Sequence, residues 1–187
     1  MLRAFLAIDL PSGLRPVLSR VQEELKKSGA DVKWVSVGNI HITLKFFGQI
    51  PEAQVEAIVE AATRIAQTQA PFNLKVAGVG AFPTVTSPRV VWLGVGGDLA
   101  TVGGFYRKLE EAFATMGFPP EGRAFAPHLT LGRVKSPRGR YDLTKCLGEL
   151  KPVAAEPFQV SEIILYRSNL SPQGATYSPL KVISLGS

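Results

Sequence analysis

His41-Ile42-Thr43-Leu44 and His128-Leu129-Thr130-Leu131 are one phrase used twice, and they hold the only 2 histidines among 187 residues. Each phrase reads His-x-Thr-Leu with an apolar x. Residues two apart on a strand share a face, and neighbours point to opposite faces. His41 and Thr43 would therefore form one polar edge, with Ile42 and Leu44 anchoring it from the apolar side. His128 and Thr130 repeat that edge over Leu129 and Leu131. Chance alone would seldom give both histidines the same followers. If the two strands lie side by side about a pseudo-twofold axis, two imidazoles and two hydroxyls converge on one cleft.

Working outward, Leu2 to Leu10 reads as a buried strand stopped by Pro11. Leu14, Val17, Leu18, Val21 and Leu25 recur at helical spacing, and Gly29 is a plausible stop. A short strand over Val32 to Val35 precedes the first phrase, whose strand runs from Ile40 to Phe47 and ends at Gly48. Pro51 opens a second helix with a Val55, Ile58, Val59, Ala62, Ile65 stripe. Strands follow over Phe72 to Phe82 and Arg89 to Val95, then a helix from Leu99 to Met116. The second phrase occupies a strand from His128 to Val134, followed by a short helix from Leu143 to Leu150. Two closing strands, Phe158 to Tyr166 and Tyr177 to Leu185, flank a turn-rich stretch from Ser168 to Gly174.

Several of these strands are joined by turns too short for a crossover helix, so the sheets should be antiparallel or mixed. The expected class is α+β. The expected organisation is one domain over residues 1–187, with two lobes that each contribute one His-x-Thr-Leu strand and helices on the outer faces.

Composition narrows the function classes. A 45% hydrophobic and 19% charged chain is that of an ordinary globular protein. The net charge of +6 favours a polyanionic partner. Arg133, Lys135, Arg138 and Arg140 cluster after the second phrase, as a solvated loop or as phosphate contacts. The single cysteine, Cys146, permits no intrachain disulfide and reads as core. No stretch reaches the roughly 20 apolar residues of a membrane span, and the chain is expected to be a cytoplasmic monomer.

The paired edges suit phosphodiester chemistry. One imidazole can take a proton from attacking water while the other protonates the leaving alkoxide. Threonine hydroxyls can hold the non-bridging oxygens. With no third histidine and no closely spaced carboxylates, neither a metal site nor a cofactor is expected.

These motifs resemble the two-histidine (2H) phosphoesterase superfamily. The closer likeness is to its RNA 2′,3′-cyclic phosphodiesterase branch, the LigT-like or 2′-5′ RNA ligase family. It extends through Arg3–Pro11, His41–Gly48, Pro88–Val95, Pro127–Val134 and Leu165–Leu180. The resemblance implies a two-lobed fold and metal-free opening of an RNA or nucleotide 2′,3′-cyclic phosphate to a 2′-phosphate. It implies His41 as proton donor, His128 as proton acceptor, and Thr43 and Thr130 as phosphate ligands. Arg133 would contact phosphate and Phe46 would stack on the terminal base, yet strict alternation puts both on the wrong face, so the Arg133 role requires a bend near Gly132 or the strand end. Phe46 could equally be core. Lys45 has the parity of His41 and is an independent candidate for phosphate or RNA backbone contact. Trp92 reads as core, Tyr177 as a residue that could line the cleft, and Asp9 as a strand-end group that could orient a neighbour. The alternatives are 2′-5′ ligation of RNA through the same site and an RNA-binding module without turnover.

Overall fold

The computed structural model describes residues 1–153 and 155–187. In chain order the elements are β1 (Leu2–Ile8), α1 (Arg15–Lys26), β2 (Val32–Trp34), β3 (Ile42–Ile50), α2 (Val55–Gln67), β4 (Phe72–Pro83), β5 (Pro88–Gly97), α3 (Leu99–Ala114), β6 (His128–Val134), α4 (Arg140–Glu149), β7 (Phe158–Val160), β8 (Glu162–Ser171) and β9 (Gly174–Ser184). One sheet has the order β3-β1-β8-β9, the other β2-β6-β5-β4-β7. Every pairing in them is antiparallel, as short connections require.

The helices form where the apolar spacing expected them. α1 has proline in its first turn, where no intrahelical N–H partner is lost, and it buries Leu18, Val21 and Leu25. α2 buries Ile58, Ala61, Ala62 and Ala66, and α3 buries Val102, Phe105, Leu109 and Phe113. These stripes join the inner faces of both sheets in one core that includes Leu6, Ile42, Leu93 and Leu131. Each fully buried leucine or isoleucine contributes about 1.5–3 kcal/mol of transfer free energy. No described helix is long and apolar enough to cross a membrane.

Four features differ from the sequence reading. The phrase-bearing strands are not neighbours: β3 is an edge of the first sheet, and β6 lies between β2 and β5 in the second. Gly48 does not end its strand, because it takes a left-handed conformation (φ 71°) that lets β3 run on to Ile50. The stretch from Phe158 to Tyr166 is two strands, with β7 pairing to β4 and β8 to β1. The chain changes sheets between them, a step that hydropathy does not register. The turn residues from Ser168 onward also prove extended. β8 and β9 pair as far as Ser171 opposite Gly174, so ladder hydrogen bonds override local turn preference.

Candidate active site

The side chains of the two phrases meet in a cleft of about 600 Å³ between the sheets. His41, Thr43 and Phe46 line it from β3 and its approach, and His128, Thr130 and Arg133 line it from β6. Tyr177 of β9 lines it as well.

A matching irregularity in the two strands puts Phe46 and Arg133 there. Opposite β1, Thr43 pairs with Ala7 and Lys45 with Leu6, so Leu44 is an extra residue. Opposite β5, Thr130 pairs with Trp92 and Gly132 with Val91, so Leu131 is the extra residue. Each leucine of the repeated phrase is thus a β-bulge, and a bulge reverses the alternation beyond it. Phe46 and Arg133, each three residues past its threonine, return to the cleft face. Phe46 is 55% exposed there. The bulge in β6 has its own support. Gln22, a buried residue of α1, donates from Nε2 to Leu131 O (3.0 Å) and to Val35 O (2.7 Å). The Val35 N–H also donates to Leu131 O (2.9 Å). Just past the bulge, a Cβ on Gly132 would lie 2.6 Å from Val32 Cγ1 and 2.9 Å from the Trp34 ring, so only glycine fits without displacement.

The same reversal draws the Lys45 ammonium away from the open cleft, although the residue still contributes to its wall. Strict alternation expects its ammonium beside His41. The bulge instead turns it inward, where it is 4% exposed and paired with Glu110 at 2.8 Å. It is not a free cation for phosphate.

Both histidines are held alike. His41 Nδ1 lies 2.7 Å from Asn39 O, and His128 Nδ1 lies 2.8 Å from Ala126 O. A carbonyl only accepts, so each Nδ1 carries a proton and leaves Nε2 for the cleft. His41 Nε2 is 2.8 Å from Thr43 Oγ1. Phe5 stacks on the His41 ring at 4.7 Å, Tyr177 meets it edge-on at 5.5 Å, and Phe82 meets His128 edge-on at 5.1 Å. These aromatic supports carry no local signature of their own, and the sequence reading passed over Phe5 and Phe82.

Burial pushes the His41 pKa below its usual value, partly offset by the Asn39 carbonyl and by the charge of Asp9. Asp9 accepts a hydrogen bond from the Tyr166 hydroxyl at 3.1 Å. Burial, with Asp9 adding, pushes that phenol up to about 12. Tyr177 is pushed up by burial and drawn back by Arg133 and Arg3. Arg123 and Arg133 both line the cleft, and neither makes an ion pair among the described residues. Glu121 is the one carboxylate among the described lining residues, so an anionic ligand would meet an excess of positive charge.

Of the remaining candidates, Trp92 packs against Phe82 at 5.2 Å, and Cys146 is half-buried at the core margin. Arg138 faces Asp31 at 3.9 Å, outside the cleft. Among the described residues no three His, Cys, Asp or Glu side chains gather as a metal-binding group.

Two facing antiparallel sheets, with a His-Thr edge from each in a basic cleft, are the architecture of a two-histidine phosphoesterase. The chain belongs to the LigT-like phosphoesterase family, whose model matches residues 8–92 and 100–177. It is 44% identical over 183 residues to a Methanothermobacter thermautotrophicus protein named RNA 2′,3′-cyclic phosphodiesterase, covering 98% of each chain. The fold superimposes on a Thermus thermophilus crystal structure with a TM-score of 0.81 at 28% identity, covering 99% of each chain. It superimposes on Escherichia coli LigT complexed with 3′-AMP with a TM-score of 0.78 at 26% identity, covering 100% of this chain and 98% of that one.

Proposed function

We propose that this protein is an RNA 2′,3′-cyclic phosphodiesterase that opens the cyclic phosphate to a 2′-phosphate by histidine acid–base catalysis without metal. The observation that carries the reading is the matched anchoring of two imidazoles. Each is fixed through Nδ1 to a backbone carbonyl, so each offers Nε2 to one basic cleft. The names of its relatives supply the substrate class.

In this mechanism His128 Nε2 takes a proton from water as the oxygen attacks phosphorus. The bond from phosphorus to O3′ breaks, and His41 delivers a proton to O3′. The products are a 2′-phosphate and a 3′-hydroxyl. Burial by itself favours neutral His41, and a phosphate anion beside it favours its charged form, so substrate binding helps to load the acid. Thr43, Thr130 and Arg133 hold the non-bridging oxygens, where negative charge collects. Phe46 offers an exposed ring to the terminal base. One chain supplies both edges, so a monomer suffices, and the cytoplasm is the expected place of action.

An oligonucleotide ending in a 2′,3′-cyclic phosphate tests the reading. A 2′-phosphate product formed in EDTA is expected; a 3′-phosphate product or a metal requirement would refute it. Replacing bridging O3′ by sulfur tests the direction, because a thiolate leaves without an acid. That substrate should restore turnover to His41→Ala and not to His128→Ala.

A further inference from the structure

We infer that the buried Lys45–Glu110 ion pair is a clamp that positions residues 119–127, and through them the His128 ring. Lys45 is then a positioning residue rather than a phosphate ligand. The inference deepens the reading of His128 as a proton acceptor and rests on it for its effect on turnover.

Residues 119–127 form the later part of the connection from α3 to β6 and contain no helix or strand, so no ladder fixes them. Pro119 and Pro120 have no N–H to contribute to one. Residues 119–124 are exposed, so their backbone groups can turn to water or to side chains. The clamp provides two. Lys45 Nζ donates to Pro119 O at 2.7 Å, and Glu110 Oε2 accepts from the Glu121 N–H at 2.7 Å. Glu110 Oε1 faces the Lys45 ammonium at 2.8 Å, in ion-pair rather than hydrogen-bond alignment. One turn earlier on α3, Tyr106 stacks on Phe125 at 4.0 Å with planes 6° apart. The next residue, Ala126, supplies the carbonyl that accepts from His128 Nδ1. The path from Lys45 on β3 to the ring on β6 therefore runs through these contacts and the short stretch of backbone from Glu121 to Ala126.

A buried ion pair is seldom better for stability than a well-packed apolar pair. Here its polar atoms match the two backbone groups that the diproline leaves without a ladder. His41 has no such dependence. Its acceptor, Asn39, lies in a short 3₁₀ turn with its own backbone bonds, Asn39 N to Ser36 O and Ile40 N to Val37 O. Asn39 is also tied to β9 through Nδ2 to Ala175 O at 2.9 Å. Loss of the clamp should loosen one histidine and spare the other.

With only 2 histidines in the chain, a ¹⁵N-histidine spectrum contains just two rings. The variant K45M/E110L replaces the pair by apolar side chains of similar size. Its His128 ring nitrogens should move toward averaged-tautomer shifts while His41 keeps its Nδ1–H pattern. The kcat on a 2′,3′-cyclic end should fall at least tenfold, with a smaller change in KM. K45R, which keeps the cation, should restore the wild-type spectrum. If K45M/E110L does not fold, E110Q decides, because it keeps the shape and loses one anchor; the same His128 change, smaller, is expected. An unchanged His128 ring in a folded variant overturns the clamp. So do both rings changing together, which would mark a global disturbance, and a lowered Tm with spectrum and kcat intact. If the wild type lacks hydrolysis, the catalytic reading fails, and the ring spectra still decide the clamp.

Discussion

Gln22→Met removes the donor beneath the β6 bulge and keeps the side-chain length. Gln22 is 4% exposed, so water does not replace what is lost. Leu131 O keeps the Val35 N–H, whereas Val35 O loses the Gln22 amide at 2.7 Å. One net hydrogen bond of about 1 kcal/mol and one buried acceptor left unpaired at about 1–3 kcal/mol give a loss of about 2–4 kcal/mol. For a chain of this length that lowers Tm by on the order of 10 °C. The bulge also directs Arg133, and a catalytic group displaced by about 1 Å can cost roughly 10²-fold in rate. Urea melts and steady-state kinetics on a cyclic-phosphate oligonucleotide, taken well below the variant's Tm, measure both effects. The structure further requires that Q22M/R133A be no slower than R133A alone, since both act through one guanidinium. Full kcat/KM in a destabilised but folded Gln22→Met would refute the link between bulge and arginine. So would additive losses in the double variant.

His41→Ala and His128→Ala should each lower kcat by about 10²–10⁴-fold, with circular dichroism unchanged. Thr43→Val and Thr130→Val should each cost about 10–10³-fold, read as kcat/KM on the same substrate. Because burial lowers the pKa of His41, the unfolded chain binds its proton more readily than the folded one between that lowered value and about 6.5. That contribution to stability is complete above about pH 6.5 and declines as pH falls below it. Denaturant midpoints across pH 5–8 should show the decline in wild type, and His41→Gln should flatten it. Arg133→Lys should leave a weaker enzyme than wild type and a better one than Arg133→Ala, because the ammonium keeps the charge and loses the two-pronged geometry; kinetics at two salt concentrations will separate charge from geometry.

The repeated His-x-Thr-Leu phrase, the helical stripes and the antiparallel pattern are local properties of the chain. Period-two alternation within each phrase was enough to place His41 with Thr43 and His128 with Thr130. The failures began at the next residue, where alternation depends on a neighbouring strand. The Arg133 role called for a bend near Gly132, but nothing in Leu44-Lys45-Phe46 or Leu131-Gly132-Arg133 identifies the unpaired leucine, because a bulge is a mismatch between two strands and only pairing creates it. That mismatch turned Lys45 inward and returned Phe46 and Arg133 to the cleft. The sheet change at Ser161, the Asn39 and Ala126 carbonyls that fix the imidazoles, and the Gln22 amide under Leu131 likewise depend on partners from other segments or on the path of the backbone. Sequence by itself determined which side chains were available for chemistry and how each edge was ordered. The tertiary structure decided which of their neighbours faced the same cleft, since facing is set by strand register and register is a property of pairs of strands.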